Sequence, residues 1–227
     1  MRQIILDTET TGLDPQQGDR VIEIAAIELL NLLPTGAVFH TLLDPERDVP
    51  ADATRIHGFT TAHLEGQPKF ADVAADFLAF LGTDEIIAHN AGFDFGFLDA
   101  ELNRCGRPAL DRARMVDTLA LARARFPGMT NSLDALCRRF EIDLSQRISH
   151  NALLDVRLLA EVFLELKGGR QPGLVLASAT TGAGPAQALE ARWPRTARPI
   201  QVSAEQDIAH TDFVTRKLKG ALWLKPS

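Results

Sequence analysis

Cysteine is nearly absent from this 227-residue chain. Cys105 and Cys137 stand far apart, outside any Cys-x-x-Cys or zinc-like spacing. That excludes a disulfide framework and a zinc ribbon, and leads us to expect reduced, structural thiols in a cytoplasmic protein. No uninterrupted apolar stretch approaches the ~20 residues of a membrane span, so no membrane partner is expected. The first residues lack a basic region, an apolar core and a small-residue cleavage site, and nothing in them predicts export. No segment repeats. Positive charge is not in excess either: the formal net charge is −6, which argues against a non-specific nucleic-acid coat.

What is present is a composition of 45% hydrophobic residues with mean hydropathy near zero, the profile of a soluble globular chain. The charge is unevenly spread. Residues 170–227 hold eight Lys and Arg against four Asp and Glu, a balance of +4, which leaves −10 for residues 1–169. Two regions with different electrostatic roles are expected. In the first, apolar strand patterns at 3–6, 21–30, 38–43, 86–88 and about 115–116 alternate with helical patterns at 70–81, 95–104, 119–125, 132–140 and 153–166. The first three strands have no helix between them and predict an antiparallel meander; the later ones, separated by helices, predict parallel additions. The fold class is therefore α/β, a mixed central sheet flanked by helices. After residue 169 the run "GGRQPGLVLASATTGAGPAQAL" reads as a flexible linker. A mixed apolar and charged pattern resumes over 200–224, too short to fold without a partner.

Three segments carry chemistry. "LDTETTG" ends the first strand in Asp7 and Glu9, which share a face of a strand because they are two apart; Gly12 in the following turn can supply a positive φ. Taken alone, the pair is equally a strand turning polar as it leaves the core. "IIAHNAGFDF" ends a strand in His89-Asn90 and brings Asp94 to the start of a helix, either as an N-cap or as a third carboxylate. In "SHNALLD" His150 lies on the loop or cap, while Asp155 faces inward among leucines, an expensive place for a charge unless it is paired or metal-bound. Four carboxylates cannot converge at low cost, since like charges raise one another's pKa. Divalent cations resolve the conflict. Hard oxygen donors without cysteine suit two Mg²⁺ or Mn²⁺ ions rather than zinc, and such a pair can hold a phosphodiester for attack by water.

"DTETTG", "HNAGFDFGFLD" and "HNALLD", in this order, resemble the DEDD exonuclease superfamily, His-type branch, with its ribonuclease-H-like fold. "RIHGFT", "FPGMTNSLDALCRRFEID" and "ALLDVRLLAEVFLEL" are similar in particular to the proofreading subunits of bacterial replicative DNA polymerases. The likeness covers about residues 2–169 closely and the tail more loosely. It implies a 3′→5′ exonuclease that removes mispaired 3′-terminal deoxynucleotides. Asp7, Glu9, Asp94 and Asp155 would bind the two metals and His150 would take the proton from the attacking water, with Asp7 and Glu9 counted in the catalytic set. Imidazole suits that task because it titrates near neutrality. The sister branch places a tyrosine there, and this chain has none.

The resemblance also implies that Thr8, Thr10, Leu13, His57, Asn90 and Phe93 line a pocket for the terminal nucleotide, with turn amides at residues 10–13 near the 3′ hydroxyl. Sequence-independent stacking and backbone contacts suit an enzyme acting on any single-stranded or frayed 3′ end. On the residues alone Phe93 is open between core and pocket, His57 is equally a turn residue, and Phe95 belongs to the core. In the tail, Gln171, Leu174 and Leu176 fit a sliding-clamp (beta) ligand over 170–176, with Leu176 replacing the family's final aromatic. A linker over 177–199 would lead to a segment at 200–227 that holds the polymerase (alpha) subunit, with Trp223 as its anchor. The resemblance leaves open whether a small accessory subunit caps the domain 1–169. An RNA-trimming exonuclease and a non-catalytic tether are the competing readings; the clamp-like motif disfavours the first and the retained active-site residues the second.

Overall fold

The structure is a computed structural model that describes residues 1–145, 147, 150–169 and 202–217. Contacts divide the chain into two units, Met1–Val175 and Leu176–Ser227. Gln171, Leu174, Leu176 and Trp223, with the linker expected at 177–199, lie outside the described residues.

The first unit is built on strands β1 (Arg2–Thr10), β2 (Val21–Leu30), β3 (Leu33–Leu42), β4 (Glu85–Ala88) and β5 (Met115–Asp117). They form one sheet in the order β3-β2-β1-β4-β5. β1 and β3 run antiparallel to β2, whereas β4 pairs parallel with β1 and with β5. The expected meander with parallel additions is what forms. β3 starts five residues earlier than its pattern suggested. A two-residue turn with positive φ at both Asn31 and Leu32 closes the hairpin, and Pro34 is tolerated because β3 lies at the sheet edge, where no ladder donor is missed.

The helices are α1 (Ala51–His57), α2 (Thr61–Leu64), α3 (Phe70–Leu81), α4 (Ala91–Arg104), α5 (Thr118–Arg125), α6 (Leu133–Arg139), α7 (Ala152–Leu166) and, in the second unit, α8 (Ala204–Lys217). α3 and α4 cover one face of the sheet, packing Phe70, Phe77, Phe95 and Leu98 on Ile4, Leu6, Ile24 and Ile86. α7 covers the other, setting Val156, Leu159 and Phe163 on Ile5, Ala25, Ile27 and Ile87. α5 and α6 extend that layer through Ala122, Leu136, Cys137, Leu158 and Val162. Cys105 and Cys137 are both free thiols, and burial pushes the Cys137 thiol up to about 11, which keeps it protonated and inert. α8, described by itself, carries an Arg216–Asp212 pair one turn apart at 2.7 Å.

Two expectations change here. α4 begins at Ala91 rather than at residue 95, because Asn90 takes a left-handed conformation (φ 67°) with its N–H on Asp117 Oδ1 at 3.0 Å. Asp94 consequently sits inside the first helical turn, and Asn90 holds the cap position. Gly12 does not have a positive φ. Glycine is needed there because a Cβ would come within 2.2 Å of the Asp19 carboxylate, which itself accepts from Asp14 N–H at 3.1 Å and pairs with Arg47 at 3.0 Å.

Candidate active site

Strand parity directs the carboxylates. Ile4 and Leu6 point to the α4 side and Ile5 to the α7 side, so Asp7 and Glu9 project toward α7 and Thr8 toward α4. The strand continues through Thr10, which keeps the alternation intact across the pair. From the α4 side Asp94 meets Thr8, whose Oγ1 donates to Asp94 Oδ1 at 2.8 Å. From the opposite side α7 delivers Asp155 in its first turn, after Asn151 caps the helix by accepting from Leu154 N–H at 3.1 Å. His150 precedes the cap on the loop, exposed, and its N–H is tied to the Ile56 carbonyl at 3.1 Å. α1, which no sequence pattern signalled, is thus what holds the imidazole over the cavity.

Asp7, Thr8, Glu9, Asn90, Phe93, Asp94, His150 and Asp155 line one cavity of about 730 Å³. Ligand atoms of Glu9, His150 and Asp155 all lie within 4.8 Å of one another; Asp7 and Asp94 share the cavity without joining that tighter group. A second cavity of about 510 Å³ lies against it, sharing Thr8, Glu9 and Phe93 and adding Thr10, Gly12, Leu13, Ile56 and His57. Phe93 therefore stands between the two hollows and packs on Phe97 with ring centroids 4.8 Å apart, whereas Phe95 is wholly in the core. Leu13, 83% exposed, and Ile56, 51% exposed, form an apolar rim on the second cavity. The turn amides are only partly available, because Thr11 N–H is committed to the Arg20 carbonyl at 2.9 Å.

His57 is buried in that second cavity. Its Nδ1 accepts from the Phe59 N–H at 3.1 Å, which puts the proton of the neutral ring on Nε2, and Nε2 has no partner. Burial, and then the nearby His150, lower its pKa, so the ring is neutral and its Nε2 proton is enclosed. A buried donor without an acceptor is costly to the fold.

Two charged residues were missed by sequence reasoning. Glu23, directly opposite Glu9 across the β1–β2 ladder, is fully buried. It accepts from Ala152 N–H at 3.0 Å and from Asn151 Nδ2 at 3.3 Å, and meets His40 Nε2 at 2.7 Å. It fixes the start of α7, and hence Asp155. The available signal was an acid inside an otherwise apolar strand, "VIEIAA". Arg147 grips Asp155 through two hydrogen bonds, Nε to Oδ1 at 2.7 Å and Nη2 to Oδ2 at 2.6 Å. Its signal was indirect: a buried Asp on an apolar helix needs a cation.

The Exonuclease family model (RNase T) matches residues 4–163. The chain belongs to the exonuclease family. DNA polymerase III subunit epsilon of Rickettsia conorii is 45% identical, across 97% of this chain and 98% of that one. The Escherichia coli protein of the same name is 40% identical, across 98% and 97%. Among solved structures, exonuclease X in complex with 5′-overhanging duplex DNA superposes with a TM-score of 0.57 at 26% identity, covering 72% of this chain and 90% of its own. Exonuclease I of E. coli, bound to single-stranded DNA and zinc, reaches 0.64 at 21% identity over 75% of this chain and 41% of its own, a likeness of fold.

In this exonuclease the crowded carboxylates are electrostatically strained. Burial, followed by the charges of Asp94, Glu9 and Asp155, raises Asp7 well above the usual carboxylate range even though it opens on the cavity. Burial and then Glu23 push Glu9 up to about 8. Burial raises Asp94 to about 7 against the opposing hydrogen bond from Thr8. A donor set of carboxylate oxygens that resist ionising alone fits hard divalent cations, which would restore the charged forms.

The sign of the pH dependence follows. Between about pH 4, where an unfolded carboxyl ionises, and about pH 8, where Glu9 ionises in the fold, the unfolded chain binds fewer protons than the folded one. Stability contributed by these groups is therefore fully present below about pH 4 and is lost as pH rises through 7 and 8. We expect the melting temperature of the metal-free protein to fall more steeply from pH 5 to 8.5 than that of Glu9→Gln. Equal slopes would show that Glu9 is not strained.

Proposed function

We propose that this exonuclease removes mispaired deoxynucleotides from the 3′ end of a growing DNA strand, as the proofreading subunit of a replicative polymerase. The observation that supports the reading most is the adjacency of the two cavities: a carboxylate cluster with an imidazole at its edge shares Thr8, Glu9 and Phe93 with a nucleotide-sized, apolar-rimmed hollow.

Asp7, Glu9, Asp94 and Asp155 would hold two divalent ions, Mg²⁺ or Mn²⁺. When bound, these ions supply the positive charge that draws a phosphodiester to an acidic domain and polarises it. His150, exposed at the cavity edge on a tethered loop, takes up the proton of the attacking water on a ring nitrogen. Thr8 holds Asp94 in orientation through its hydroxyl, and Asn90 is fixed at the head of α4 by Asp117. Leu13, Ile56 and Phe93 offer apolar surface to the last base without reading it, and His57 closes the cavity wall behind them. Thr10 shapes this floor by donating to the Gly12 carbonyl at 2.6 Å.

The test is a 5′-labelled primer with a mispaired 3′ terminus, incubated with the full chain and Mg²⁺ beside the same sequence in RNA. A ladder shortening from the 3′ end of DNA, abolished by a chelator, is expected. Faster trimming of RNA would favour the RNA-processing reading.

By the same reading the polymerase (alpha) subunit and the sliding clamp (beta) are the partners, and the work is done in the cytoplasm. Among the described residues no helix is long and apolar enough to cross a membrane. Clamp binding rests on the sequence motif Gln171, Leu174 and Leu176, and polymerase binding on the segment 200–227 with Trp223. Gln171→Ala is expected to reduce retention of the protein on immobilised clamp; undiminished retention would remove the motif from the account.

A further inference from the structure

Arg147 stands where a cation is needed and where a divalent ion would have to arrive. Its guanidinium is almost wholly enclosed, 9% exposed, and four of its five donors are spent inside the cavity. Two go to the two oxygens of Asp155. One goes to Asp134. Nη2 also lies 3.0 Å from His150 Nδ1. A guanidinium has no lone pair to offer, so Nδ1 must accept, and the neutral imidazole then carries its proton on Nε2. In this arrangement neither ring nitrogen of His150 is free to take a proton from water. Asp155 has both oxygens engaged, and a fixed positive charge sits beside Glu9 and Asp7.

We propose that Arg147 is an internal latch, a resident cation that keeps the acidic site closed until divalent ions displace it from Asp155 and His150. The proposal rests on the metal-site reading above and adds a competition to it. Arg147 pairs with Asp155 and sets one positive charge beside the other carboxylates of the cavity, which offsets part of their repulsion. Asp134, at the cavity edge and 37% exposed in its side chain, adds a further bond that holds the guanidinium in this closed position. Release of the latch frees Asp155 to hold metal and His150 to act as a base in a single movement, which ties base activation to metal loading.

The other role open to Arg147 is that of a permanent clip, which orients Asp155 from one edge while metal binds at the other. Two variants separate the roles, with Mn²⁺ alone as the probe and binding measured by calorimetry on the full chain, folding being checked by circular dichroism. Asp134→Asn removes a negative charge near the site. If Arg147 is a clip, that loss leaves Mn²⁺ affinity unchanged or weaker. If Arg147 is a latch, its anchor is loosened and Mn²⁺ binds more tightly. Arg147→Met, which keeps the apolar stem, is expected to bind Mn²⁺ about tenfold or more tightly than wild type, the scale set by competing charge-assisted hydrogen bonds. Should Arg147→Met fail to fold without metal, Asp134→Asn decides alone. Unchanged or weaker binding in Asp134→Asn overturns the latch and leaves the metal site standing. Absence of Mn²⁺ binding in the wild type and both variants overturns the metal site and the latch with it.

Discussion

Asp7→Asn is expected to raise the melting temperature of the metal-free protein at pH 8 while lowering the rate of 3′ nucleotide release by on the order of 10²–10³ or more. The two effects have one cause. Asp7 is surrounded by Asp94, Glu9 and Asp155, and burial raises its pKa well above the ordinary range, so the folded state works against its charge. An amide of nearly the same shape removes that strain. It also removes a ligand oxygen that a hard cation requires. Sites assembled for function store strain of this kind, and relieving it trades activity for stability. Thermal melts at pH 8 and a labelled-primer assay on the same preparation check both halves. A variant that loses stability along with activity would mean that Asp7 is a structural residue of the strand end.

His150→Gln is expected to lower the rate by roughly 10²–10⁴, the usual contribution of a positioned base, and to leave folding intact. The side chain is half-exposed, and its backbone N–H bond to Ile56 survives the substitution. The variant also separates two roles that the geometry permits, because His150 belongs to the tight group with Glu9 and Asp155. A proton acceptor can be removed while Mn²⁺ still binds at nearly wild-type affinity. Collapse of Mn²⁺ binding in His150→Gln would make the imidazole a metal ligand, and the base would have to be sought elsewhere.

Much of this site was legible from the strand and helix that build it. Asp7 and Glu9 declare themselves through the two-residue period of a strand, and Asp155 through its cost among leucines on α7. What stayed hidden depended on contacts between distant segments. α1 is seven residues long and has no amphipathic stripe to announce it, yet it positions His150. Glu23 and Arg147 act across separations of 129 and 8 residues respectively. Neither has a periodic pattern, since a buried ion pair is a tertiary solution to a local charge problem. β3 extends back to Leu33 through Pro34 and Gly36, residues that break a strand pattern and that the edge position of the strand makes acceptable. Gly12 was recognised for the wrong reason: close approach of Asp19, rather than a positive φ, excludes a side chain there.

The claim that Asp7, Glu9, Asp94 and Asp155 form one metal-holding hydrolytic site has a direct test. A crystal of the protein, soaked with Mn²⁺ and a 3′-terminal mononucleotide, can be measured for anomalous scattering. Two peaks among the four carboxylates, with the nucleotide in the cavity between Leu13, His57 and Phe93, are expected. No peak there, or a nucleotide seated on another face of the protein, would contradict the assignment.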